Sequence, residues 1–278
     1  MIEWLRGYFA NLIAIQMKRP QPHKLTWFYV RHLLKGRDKF LTRNCIHLAD
    51  IRPEHRVLSI GCKEGHGIRR ICPIFENNTG KLFVIERSKT LAKHALLYCR
   101  LEVDTEQCIL YTGHPQNLPF PDNFFDRVIH IDDYYFWEDQ VRCLQEIFRC
   151  CKPGAKIVST LDIDWLKMIE RRGFMEYGHI DPLNHLWLAE DAGFTNLKFD
   201  YFAAHQNFFR RNKQFQAIFY EKPDKATLDA RRLNFSDKDL DNLEHLLVQM
   251  FNSSYRMQIL DKFYPKLTPT PRYELSDR

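Results

Sequence analysis

The chain has 278 residues, of which 45% are apolar, 27% charged and 14% aromatic. That balance excludes collagen-like, low-complexity and largely disordered chains, and no uncharged apolar run reaches the roughly 18–20 residues that a membrane-spanning helix needs. The net charge of +6 is uneven: residues 1–50 hold nine Lys and Arg against Glu3, Asp38 and Asp50, and the rest of the chain carries 32 of each sign. A total this small does not by itself argue nucleic-acid binding. The basic N-terminal region reads as a solvated face or as a contact for an anionic partner.

In chain order, residues 1–17 read as an amphipathic helix with Ile2, Leu5, Phe9, Leu12 and Ile13 on one face. Its polar face is not notably basic, so packing against its own domain is favoured over peripheral membrane contact. The segment lacks the basic start and small-residue cleavage site of a secretory signal. Eight cysteines without a Cys-x-x-Cys pair fit reduced thiols in a cytoplasmic protein and no metal site. Pro20 and Pro22 end the first helix, and a second spans 25–49.

From Arg56 the period changes. Strands are expected over 56–60, 81–86, 106–111, 126–131 and 155–161. Helices are expected from Ile68, from a Ser88 cap to about residue 100, and over 139–151, where Lys152-Pro153-Gly154 forms a turn. Helical segments over 166–172 and 183–192 precede two last strands at 197–203 and 215–220. Residues 222–235 read as a polar connector. Ser236 to Asp239 open a C-terminal helix, and the Pro-rich residues 264–278 a disordered tail.

Strands alternating with helices predict an α/β fold with a Rossmann-like, seven-stranded, mostly parallel sheet, helices on both faces and an antiparallel edge. The expected organisation is an N-terminal helical extension (1–45) serving as a lid or packing element, a central domain (46–222), a connector with a C-terminal helix (223–263) and the tail (264–278). In such sheets ligands bind beyond the carboxyl ends of the strands. The first turn is 57–67, where Gly61 and Gly65 let backbone approach a ligand closely. Glu86, closing the second strand, suits a ribose diol.

These segments, with Gly113 to Phe120, Leu118 to Asp126, Tyr135-Phe136-Trp137 and Glu146 to Gly154, come in an order and spacing that resembles the class I S-adenosylmethionine-dependent methyltransferases of the type-11 (ubiquinone-biosynthesis-like) group. The resemblance covers roughly 50–220 and marks the central domain (46–222) as methyltransferase-like. It implies S-adenosyl-L-methionine as cofactor, held by Ser59, Gly61, Cys62, Lys63, Gly65, Glu86, Arg87, His114, Pro115, Gln116 and Asp132. Gly61 and Gly65 would line the methionine portion, Glu86 would hold the ribose, and 113–116 would run beside the adenine. Residues 132–135 would face the methyl group and its acceptor. His130, Asp132, Asp133, Tyr134, Tyr135 and His205 are candidates for a base, and none is assigned as catalytic.

Three positions depart from the family pattern. Ser59 replaces an acid, Lys63 a glycine, and His114 an aspartate. A lysine about 6 Å from a sulfonium at an effective dielectric of about 20 is repelled by roughly 3 kcal/mol, and a left-handed backbone at a non-glycine residue adds about 1–3 kcal/mol. The lysine can escape by swinging to solvent or by pairing with the cofactor's own carboxylate. The leading expectation is an enzyme transferring a methyl group to a small, apolar or planar acceptor. It would be gripped by residues 1–45, by 168–185 and by the C-terminal helix. The alternatives are a catalytically impaired binding or scaffold protein and an RNA- or protein-directed methyltransferase.

Overall fold

The computed structural model describes residue 8 and residues 25–171, 180–205 and 212–233. Apart from residue 8, the helix expected over 1–17 lies outside the described residues, as do the helix expected from Ser236 and the tail over 264–278. The chain divides into two compact units, Met1–Lys225 and Ala226–Arg278. The sheet and the site belong to the first.

Seven strands form one sheet: β1 (Arg56–Ile60), β2 (Lys81–Glu86), β3 (Cys108–Thr112), β4 (Phe125–Ile131), β5 (Cys151–Leu161), β6 (Thr195–His205) and β7 (Asn212–Glu221). Their order is β3-β2-β1-β4-β5-β7-β6. β1 pairs in parallel with both β2 and β4, so the strand order reverses on either side of it. The pairings β2–β3 and β4–β5 are also parallel. β7 runs antiparallel to β5 and β6, the edge expected from two strands without a helix between them.

Side chains alternate across this sheet, and both faces are covered, as parallel strands require. Leu58, Ile60, Phe83 and Ile85 face one core with Leu144 and Ile147. Val57, Leu82, Val84 and Ile129 face the other with Cys45, Ile71 and Ala95.

The helices are α1 (Leu25–Leu48), α2 (Ile68–Ile71), α3 (Lys89–Tyr98), α4 (Arg100–Asp104), α5 (Gln140–Cys150), α6 (Ile163–Arg171), α7 (Pro182–Asp191) and α8 (Lys225–Leu233). Ser88 caps α3 by accepting from the Leu91 N–H at 3.3 Å, as its place before the helical run predicts. The part of the expected N-terminal extension that is described is α1, and it is not separate from the sheet. Phe40 and Leu41 join Phe215 in one cluster, and Cys45 and Ala49 enter the second core.

Arg149 explains why the Leu118 to Asp126 and Glu146 to Gly154 segments belong together. Its guanidinium donates to the Phe120 carbonyl (2.8 Å), the Leu118 carbonyl (3.1 Å) and Asp122 (2.7 Å). Glu146 accepts from the Leu118 N–H at 2.9 Å. The loop before β4 is thereby clamped to α5. All eight cysteines are free and buried, and burial pushes the thiols of Cys45, Cys99 and Cys143 up to about 12, which leaves them as inert packing groups.

Three expected boundaries are corrected. β3 starts at Cys108 because Glu106, at φ 57°, occupies the preceding turn. Lys152-Pro153-Gly154 lies within β5 rather than ahead of it. Cys151 already pairs with Phe125, and the register shifts before Arg127, so Gly154 at φ 79° marks an irregularity inside the strand. The segment 222–235 is not a uniform polar connector, since Ala226, Leu228 and Arg231 are good helix formers and α8 occupies 225–233.

Lys222 is 6% exposed, and its ammonium donates to Asn123 Oδ1 (3.0 Å) and to the carbonyls of Phe148 and Cys151 (both 2.8 Å). Lys222→Met leaves those acceptors buried without a donor. It is expected to lower stability by about 2–3 kcal/mol in urea unfolding, and an unchanged midpoint would contradict this role for the ammonium.

Candidate active site

A cavity of about 520 Å³ opens at the carboxyl ends of β1, β2 and β4, where the strand order reverses. This size lies within the range of small-molecule sites. Of the residues expected from the sequence, Ser59, Gly61, Cys62, Lys63, Glu86, Arg87, His114, Pro115, Gln116 and Asp132 line it.

Gly65 is the exception. A Cβ there would sit 2.6 Å from Cys99 Sγ, so this glycine, at φ 81°, lets the loop after β1 pack against α3 rather than facing the cavity. At Gly61 the requirement is conformational: φ is 79°, and a Cβ would meet nothing closer than Asp133 Oδ2 at 3.8 Å.

Glu86 organises this loop. One carboxylate oxygen accepts from the Cys62 N–H at 3.0 Å and the other from the Ser88 N–H at 2.9 Å. A carboxylate has about four acceptor sites, so acceptor capacity remains at the cavity wall. Burial, then the neighbouring Glu86, holds the Cys62 thiol well above its usual value. Ser59 turns inward and donates to the Gly61 carbonyl at 3.1 Å. Arg87 reaches over to the Phe136 carbonyl at 3.2 Å.

Lys63 takes the strained backbone its position predicts, φ 46°. Neither expected escape applies to its charge, which pairs with Asp38 of α1 at 2.8 Å. This partner offsets the repulsion that a lone lysine would exert on a cation in the cavity.

The second link from α1 is the residue beside Asp38. Arg37 forms a bidentate ion pair with Asp132, its second bond being 2.7 Å, and its guanidinium lies 3.9 Å from the centre of the Trp165 ring. Burial opposes both charges, but the pair outweighs it: the Asp132 carboxyl is held below its usual value and the Arg37 guanidinium above. Asp132, at φ 58°, was expected to face the methyl acceptor. Its carboxylate is committed to Arg37 instead. Arg37 and Asp38 escaped the sequence reading because α1 lies outside the family's motifs. The only signal available was an adjacent Arg-Asp pair in the middle of the helical run.

The end of β4 also differs from expectation. Tyr134 and Tyr135 are fully buried and do not line the cavity, and the Tyr134 hydroxyl donates to the Ile180 carbonyl at 2.8 Å. His130 is fully buried behind the wall. Asp133 does line the cavity, and the aromatic wall is Trp27, Phe136, Trp137 and Trp165. Phe28 and Tyr29, within the 1–45 segment expected to grip the acceptor, are more than half exposed. Trp4, Phe9, Phe174 and Tyr177, also within the segments expected to grip the acceptor, lie outside the described residues, as does the side chain of His205. Among the described residues no group of three His, Cys, Asp or Glu could hold a metal, and no helix is long and apolar enough to cross a membrane.

Removing Arg37 alone strands a buried carboxylate. Arg37→Met is expected to cost about 3–5 kcal/mol, whereas Arg37→Met/Asp132→Leu restores most of it in denaturant titrations; equal losses would refute the pairing. Because the Asp132 pKa is lowered on folding, its contribution is complete above the ordinary value of 3.8 and is lost as pH falls through the lower folded value. The double variant should therefore lose less stability than the wild type on acidification below 3.8.

Comparisons with known proteins bear on the fold. Residues 58–159 match the family model described as a methyltransferase domain. A cycloartenol-C-24-methyltransferase of Arabidopsis thaliana is 31% identical over 130 residues, 45% of this chain and 35% of that protein. Phosphoethanolamine N-methyltransferase 3 of the same plant is 24% identical over 166 residues, 56% of this chain and 32% of its own length. The chain thus spans about a third of these curated relatives. A phosphoethanolamine N-methyltransferase 2 of Haemonchus contortus, solved with phosphomonomethylethanolamine and S-adenosylhomocysteine, superposes with a TM-score of 0.53 at 14% identity, over 78% of this chain and 58% of that one. Residues 58–159, under half of the chain, are thus similar to the type-11 methyltransferase domain family.

Proposed function

We propose that the protein transfers a methyl group from S-adenosyl-L-methionine to a small acceptor with an apolar or planar body. The observation that carries this is Glu86. Its carboxylate lines the cavity at the tip of β2, is oriented by two backbone N–H groups, and retains the lone pairs a ribose diol needs. Gly61 leaves room for the neighbouring part of the cofactor. When bound, the cofactor supplies an activated methyl group on a positively charged sulfur, so the chain itself has to align the acceptor and exclude water.

The acceptor side is supported by Trp27, Phe136, Trp137 and Trp165 along the wall, which suit a flat or hydrocarbon body. The relatives' acceptors, by their names a sterol and a phosphorylated amine, differ too widely to narrow this further. α1 supplies part of the wall, so the helix preceding the family's shared core contributes to acceptor choice. A cytoplasmic location belongs to the same proposal.

Calorimetry of the full chain with S-adenosylmethionine and with S-adenosylhomocysteine is expected to show binding. Glu86→Gln keeps the shape but removes the charge, and should weaken both ligands about tenfold or more, the worth of one or two hydrogen bonds to a charged group. No heat at millimolar ligand would leave a fold without its cofactor and favour the scaffold reading.

A further inference from the structure

Six acids line the cavity, Asp38, Glu64, Glu86, Asp132, Asp133 and Glu138; Glu64 lies 3.3 Å from His66, and Asp133 is distinguished by its place beside the loop glycine. Asp38 and Asp132 are committed to Lys63 and Arg37, and Glu86 sits at the tip of β2. Asp133 lies beside Gly61: its Oδ2 is the nearest atom to a Cβ built there, at 3.8 Å. Its Oδ1 is held from behind. His130 Nδ1 lies 3.0 Å from Oδ1, and His130 Nε2 lies 3.0 Å from the Tyr220 hydroxyl. One tautomer satisfies the whole chain: the phenol donates to Nε2, and Nδ1–H donates to Asp133. Burial keeps Tyr220 a phenol, and so a donor. His130 and Tyr220 are fully buried, and the Asp133 side chain is 20% exposed. The arrangement fixes one carboxylate oxygen and leaves the other toward the cavity next to the loop glycine.

The geometry points to Asp133 as the counter-charge for the positively charged sulfur of the methyl donor, with His130 and Tyr220 as positioning residues. The inference rests on the proposed cofactor and goes beyond it, because it assigns the choice between the cationic donor and its neutral product to one side chain. The chain lacks the acid that its family usually places at position 59 and carries Lys63 in the loop. A negative group at Gly61 supplies the attraction that Ser59 cannot. A positive sulfur gains from this carboxylate, and a thioether does not.

The test is calorimetry of the full chain with S-adenosylmethionine and S-adenosylhomocysteine, comparing the wild type with Asp133→Asn and Tyr220→Phe. Asp133→Asn should lose about tenfold in affinity for the sulfonium ligand and less than twofold for the thioether. Tyr220→Phe, which leaves the carboxylate in place but loosens its support, should lose part of the same selectivity. If Asp133→Asn weakens both ligands alike, or neither, the counter-charge role is wrong while the cofactor reading stands. Should Asp133→Asn not fold, unchanged selectivity in Tyr220→Phe would overturn the positioning chain. A wild type that binds neither ligand removes the cofactor reading and this proposal together.

Discussion

The site depends on a helix held down by two adjacent charges. Arg37 and Asp38 lie side by side on α1 and reach two different loops, one after β4 and one after β1. The sheet alone offers a shallow reversal of strand order. With α1 fastened across it, the reversal becomes a cavity with Trp27, Val30, Leu34 and Thr42 on one wall. A buried ion pair contributes little net stability against an apolar alternative, so what Arg37 and Asp132 secure is position. Exchange of either partner would leave the helix without its register over the pocket.

The same pairs settle the electrostatics. An unpaired cation at the wall would repel a positively charged ligand, and two of the cations that line the cavity are Arg37 and Lys63. Each is matched with a carboxylate from another element, so the departure at Lys63 is compensated by a residue distant along the chain. The left-handed backbones at Lys63 and Asp132 are part of that arrangement, since they turn the two side chains toward α1.

The motifs around Leu118 to Asp126 and Glu146 to Gly154 serve the site indirectly. Arg149 and Glu146 bind the loop before β4 to α5, which fixes where β4 starts and hence where Asp132 and Asp133 end up. Much of what makes the family legible is thus clamping rather than chemistry. Gly65 belongs with these. It looked like a ligand-facing glycine, yet its lack of a side chain answers to Cys99.

Local rules written into short stretches made the rest legible from residues alone. Apolar runs bounded by turn residues marked the strands, Ser88 marked a helix start, and the missing helix before β7 marked an antiparallel edge. Gly61, Glu86 and 113–116 announced the cavity because loops after parallel strands always face the same side. What only the tertiary structure decided was which side chains meet. The 95 positions between Arg37 and Asp132, the 25 between Lys63 and Asp38 and the 90 between His130 and Tyr220 carry no periodic signal. An ion pair or hydrogen bond depends on a few ångströms in space, and separation along the chain leaves no trace of it until the sheet is assembled.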